Sequence, residues 1–111
     1  MLGGIHATFG VAVDAGNKVF TANENIKDLG ELDPTTFAAL SPTGTTTTSG
    51  GFQNSGVGPV AVAVDGSGTV WELNTSSNLS MYIGLATPTV TPLVANRLAP
   101  YATNNSTVNK P

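Results

Sequence analysis

Apolar and polar residues alternate in short runs along this chain, and nowhere does an apolar spacing of three and four residues persist for three helical turns. That pattern, rich in Val and Thr, predicts strands and an all-β fold. Two runs are nearly the same text. "VAVDAGNKVFTAN" at 11–23 and "VAVDGSGTVWELN" at 62–74 match at Val11/Val62, Ala12/Ala63, Val13/Val64, Asp14/Asp65, Val19/Val70 and Asn23/Asn74, an offset of 51 residues. Each run predicts a hairpin, with first strands at Gly10 to Asp14 and Ala61 to Asp65 and second strands at Lys18 to Ala22 and Thr69 to Leu73. Gly66 and Gly68 supply the positive φ of the second turn, and Gly16 and Asn17 that of the first.

A third strand is expected at Asp28 to Asp33 and at Leu79 to Ile83, if the loops after Asn23 and Asn74 differ by one residue. "DPTT" then turns the chain into an expected fourth strand near Phe37 to Leu40, ended by "SPTG", and "TTTTSGGFQNSGVGP" makes a long polar connection. Pro88 and Pro92 limit "ATPTVTPLV" to an edge strand, and "YATNNSTVNKP" predicts a frayed tail. The expected division is a first unit with its connecting loop at 1–56, a second and last unit at 57–96, and a polar tail at 97–111. A period near 50 residues with four short strands per period is the signature of propeller blades. The fold class expected is therefore a partial β-propeller of two consecutive four-stranded antiparallel blades. Such blades bury both faces, which accounts for the continuous apolar run in "VAVAV". Closed propellers carry about 4–8 blades, so two leave two faces uncovered.

Composition narrows the partners. The chain has 111 residues with 10% charged, against about 25% in an average soluble protein, so Thr, Ser, Asn and Gly must cover its surface. That style of surface suggests an exported protein, extracellular or in the cell envelope, whose signal is not in this chain: "MLGGIHATFG" has neither a basic start nor an apolar run of about 7–15 residues. With no cysteine there is no disulfide or thiolate chemistry. A net charge of −3, with Lys18, Lys27, Arg97 and Lys110 scattered, argues against nucleic acid as a partner. No stretch approaches the roughly 20 apolar residues of a spanning helix.

At "FGVAVDAGNKVFTAN", "VAVDGSGTVWELN" and the linker pattern "LSPTG...GGF...GVGPVAVAVD" the chain resembles NHL-type blades, and it is similar to the blades of bacterial streptogramin lyase-like propellers. The resemblance covers about Phe9 to Asn96. It implies a C-terminal two-blade portion of a bacterial propeller, a family that includes extracellular binding proteins and lyases. Lyases of that family use a central His with an acidic partner and a bound divalent metal, and that set does not carry over. The chain has one histidine, His6 in "GGIHATFG", and Glu72, the nearest acidic analogue, has no His beside it. No catalytic residue, metal ligand or cofactor is therefore assigned.

Several residues invite a second reading. Asp14 and Asp65 lack the Asp-x-Asp-x-Asp-Gly spacing of a calcium loop, and capping of the hairpin turn explains them. "GSGTVW" has no following helix and no Lys-Ser or Lys-Thr, so no nucleotide site is expected. Phe20 and Trp71 are expected to pack between blades. The sequons "NTS", "NLS" and "NST" signify glycosylation only in a eukaryotic secretory host. Ligand contacts, if any, are expected on one rim, in the loops after Asn23 and Asn74 and in the Ser49 to Gly58 connection; the candidates are His6, Asn23, Glu24, Asn25, Asn74 and Thr75. For the two asparagines, turn stabilisation is the plainer role.

The functional expectation is a non-catalytic binding or scaffold portion of an exported propeller. Its partners are missing blades of a longer parent chain or identical copies completing a ring, with a carbohydrate or protein ligand. The alternatives are a self-assembling two-blade subunit with lectin-like carbohydrate binding, and a fragment of a lyase-type propeller enzyme.

Overall fold

The computed structural model describes residues 5–44, 50–53 and 57–89. Among these residues seven strands run in chain order: β1 (Thr8–Val13), β2 (Val19–Asn23), β3 (Asp28–Leu32), β4 (Phe52–Gln53), β5 (Pro59–Val64), β6 (Val70–Asn74) and β7 (Leu79–Tyr82). The described residues contain no helix. They form two antiparallel sheets, β1-β2-β3-β4 and β5-β6-β7.

The repeat in the sequence is a repeat in the backbone. Val11 pairs with Thr21 and Val62 with Glu72, and a register shift falls at Thr8/Gly10 in one unit and at Pro59/Ala61 in the other. The hairpin turns match bond for bond: Asn17 N–H donates to the Asp14 carbonyl and Gly68 N–H to the Asp65 carbonyl. The left-handed residue of each turn is Asn17 (φ 60) in the first and Gly68 (φ 87) in the second, both residues that tolerate this conformation. Asp14 Oδ1 accepts from the Lys18 amide at 2.7 Å, and Asp65 Oδ1 from the Ser67 and Thr69 amides at 2.9 and 3.0 Å. Both aspartates thus cap their turns. Beyond β2 and β6 the offset falls to 50, because Val19 pairs with Leu32 and Val70 with Tyr82. The one-residue difference between the two loops produces that change.

The fourth strand lies elsewhere than the sequence suggests. Phe37 to Leu40 is not a strand: Asp33 Oδ1 accepts from the Thr35 amide at 2.8 Å, the Phe37 amide returns to the Asp33 carbonyl, and Phe37 has a φ of 57°. The segment meets the sheet only at its end, through one bridge from Ala39 to Leu32 and the Leu40 and Ser41 amides on the Glu31 carbonyl. Phe52–Gln53, inside the long polar connection, pairs with β3 instead. The second sheet has three strands among the described residues, and the expected edge strand at "ATPTVTPLV" and the tail lie largely or wholly outside them.

The sheets pack face to face through their first strands. A Cβ on Gly10 would stand 2.8 Å from the Ala61 Cα, so only glycine lets β1 and β5 approach this closely. Phe20, Leu29, Val70 and Ala86 form the buried core, and Phe52, Val62, Val64, Tyr82 and Leu85 pack against it. The Phe52 and Tyr82 rings meet across the gap at 6.4 Å between centroids.

Equivalent positions do not have equivalent surroundings. Val62 and Val64 pack on the core, while their counterparts Val11 and Val13 are 61% and 55% exposed. Phe20 is fully buried, while its counterpart Trp71 is half-buried on the outer side of the second sheet, beside exposed Leu73, Leu79 and Met81. The face that β5-β6-β7 turns inward is therefore the same face that β1-β2-β3 turns outward. The two units stack front to back, not front to front.

After β7 the chain folds over both hairpin turns. The Ala86 amide donates to the Gly68 carbonyl, and the Thr87 amide donates to Asp14 Oδ2 at 2.7 Å. Burial alone would raise the Asp14 pKa, but the amides of Thr87 and Lys18 bring it below the ordinary carboxylate value.

Candidate functional site

Three loop segments converge at one end of the stack. The loop after Asn23 brings Glu24 against Gly58, where a Cβ would lie 2.9 Å from Glu24 Cγ. The loop after Asn74 joins them, since the Thr75 amide donates to the Gly58 carbonyl at 2.9 Å. Glu24 is half-buried; Asn25 and Thr75 are exposed. His6 is also exposed, two residues before Thr8, whose hydroxyl donates to Asn23 Oδ1 at 2.8 Å. Of the candidates, Glu24 and Thr75 are thus joined through Gly58, and His6 connects to the group only through Thr8 and Asn23. The stretch 54–56 of the connecting loop lies outside the described residues.

Asn23 and Asn74 lie beneath this rim. Each ends its second strand and is buried, at 0% and 3% exposure. Asn23 Nδ2 donates to Asp28 Oδ1 at 3.0 Å and to the Thr21 carbonyl at 3.2 Å; Asn74 Nδ2 donates to Ser80 Oγ at 2.9 Å. Such bonds hold strand ends and loops together and leave the asparagines sealed from solvent.

Sequence reasoning missed the most polar part of the interior. Asp28 and Glu72 are both fully buried, one from each sheet. Asp28 Oδ2 has no hydrogen-bond partner among the described residues, and Gly51, with a φ of 75°, covers it so closely that a Cβ there would lie 2.6 Å from the carboxyl. Burial pushes the Asp28 pKa up to about 6, the Asn23 bond opposes the shift, and the charge of Glu72 adds to it. The Tyr82 hydroxyl bonds Glu72; burial, that bond and the two carboxylates raise its pKa well above the phenol value. The sequence signals were Asn23 and Asn74 closing both second strands and the placement of Asp28 and Glu72 on expected strands, but nothing there marked either carboxylate as buried.

These groups suit cohesion more than turnover: Asp28 is bonded by Asn23 and Glu72 by Tyr82, and both carboxylates are fully buried, whereas general acid–base work needs contact with the reacting group. Among the described residues no group of three or more His, Cys, Asp or Glu side chains is placed to hold a metal ion, and no helix is long and apolar enough to cross a membrane. No protein-family model matches the chain, and no curated protein matches it.

Proposed function

We propose that this chain is a pair of stacking repeat units of an NHL-type β-propeller, exported from a bacterial cell, and that it serves as a non-catalytic binding or scaffold element. One observation carries the reading: the face by which the second unit covers the first is the face the first unit leaves exposed. Units related in this way extend by addition, as blades do, and a unit at either end presents an apolar face that a further unit covers. Ligand contacts fall to the rim where Glu24, Asn25 and Thr75 meet, with His6 as an outlying member. Side chains of this kind suit hydrogen bonding to a carbohydrate or a protein backbone.

A tandem fusion of two copies tests the stacking. In a stacked array each added interface contributes to stability. The fusion should melt above the single chain and bind less apolar-surface dye per unit. Equal melting temperatures and undiminished dye binding would refute the reading.

A further inference from the structure

Accepting the stacking of units just described, we propose that the chain associates with further copies of itself head to tail, the β1-β2-β3 face of one copy covering the β5-β6-β7 face of the next. The template is the interface inside the chain. There, Val62, Val64 and Val70 of the second unit cover the face of the first that holds Phe20 and Leu29. A second copy presents the same pattern in Val11, Val13 and Val19, of which the first two are 61% and 55% exposed. The surface that would receive it, around Trp71, Leu73, Leu79 and Met81, is the counterpart of the Phe20 face, with Leu73, Leu79 and Met81 49%, 57% and 50% exposed. None of these side chains is charged, and the Asp65 carboxylate beside Trp71 already accepts from its indole N–H at 2.8 Å, so the contact removes mainly apolar area from water.

The fit differs from the template in one respect. Inside the chain Gly10 receives the backbone of Ala61; between copies Ala61 would stand in the place of Gly10 and face Gly10 of the next copy. The additional methyl sets the two sheets slightly farther apart, and the indole of Trp71, larger than the Phe20 ring it replaces, fills the added space. Because the two surfaces differ, the contact is heterologous, and it closes into a ring or continues as a filament according to the angle between copies.

Two variants, each blocked on one surface, test this. Val13→Glu closes the β1 side and Met81→Glu the β7 side; both positions are exposed in the single chain, so circular dichroism should match the parent. By light scattering, the parent should form particles of several chains and each variant alone should have the mass of one. An equimolar mixture should reach the mass of two chains, since each variant keeps the surface the other lacks. Val11→Asp and Leu73→Asp read the same two surfaces if either first variant unfolds. Two results overturn the proposal: a single-chain mass for the parent at the highest soluble concentration, or a mixture whose partners do not combine. If the parent is monomeric but the tandem fusion is still stabilised, stacking survives and copies are not the occupant. If neither occurs, both readings fall.

Discussion

Phe20 and Trp71 occupy the same place in two copies of one motif, yet one ring is wholly buried and the other lies half-open at an outer face. Local sequence does not make this difference, since both rings follow Val in the second strand of a hairpin with the same register. What covers each face does. Phe20 faces the second sheet, whereas Trp71 faces outward and is held by its own turn, through the indole N–H donated to Asp65 Oδ2 at 2.8 Å. That bond and the one from the Ser67 hydroxyl keep the Asp65 pKa far below the usual carboxylate range. In a repeat protein, burial is thus a property of position in the stack.

The comparison breaks most sharply under truncation. Phe20→Ala should cost about 3–5 kcal/mol, the usual loss for a buried aromatic, whereas Trp71→Ala in the single chain should cost well under half as much. Urea unfolding of the two variants measures both, and equal losses would mean that the two faces are equally covered. Next in size is Gly10→Val, whose side chain would push β1 from β5; about 2 kcal/mol is expected, in the range of overpacked cores. Its counterpart Ala61→Val is the control, because the Ala61 side chain points to the open face, and it should shift the thermal midpoint little.

The smallest effect follows pH. Asp28 holds its proton in the fold up to about pH 6, against roughly pH 4 for an unfolded aspartate. Its contribution is therefore complete below about pH 4 and lost as pH rises through 6, the reverse of a salt-bridged carboxylate. Asp28→Asn should raise stability at pH 7 by on the order of 1 kcal/mol and have no such advantage at pH 4. The difference in thermal midpoint between variant and parent across pH 4–7 reads this directly; a difference independent of pH would mean that Asp28 stays ionised.

The hairpins could be read in the sequence because their rules are local: an Asp that caps, a residue that accepts positive φ, and alternation on either side. The third strands could be read for the same reason, down to the one-residue difference in the loops. The fourth strand could not. "TTFAAL" alternates well enough, but Asp33 captures the amides of Thr35 and Thr36 and winds the segment into a turn, while a strand as short as Phe52–Gln53 has no periodicity to detect. The rim was legible as loops, and its convergence at Gly58 was not, because that contact depends on how the sheets stack. Asp28 and Glu72 were hidden by their type. A carboxylate is ordinarily taken for a surface residue; Glu72 becomes interior on the Val62 face where the two sheets meet, whereas Asp28 is sealed by Gly51 and by its bond from Asn23.

The bond from the Thr87 amide to Asp14 joins residues 73 positions apart, and it gives this fold a direction in time. At about 5–20 residues per second on the ribosome, the strap that completes the first turn is synthesised on the order of 4–15 s after the turn itself. Throughout that interval the Asp14 carboxylate can cap its own hairpin through Lys18 but has no second anchor, and Phe20 stays uncovered until the β5-β6 hairpin has followed. The first hairpin therefore waits for its second anchor until the latest described part arrives. Nonlocal closure of this kind slows folding, and the newborn first unit is most exposed to unintended partners just before its own second unit reaches it.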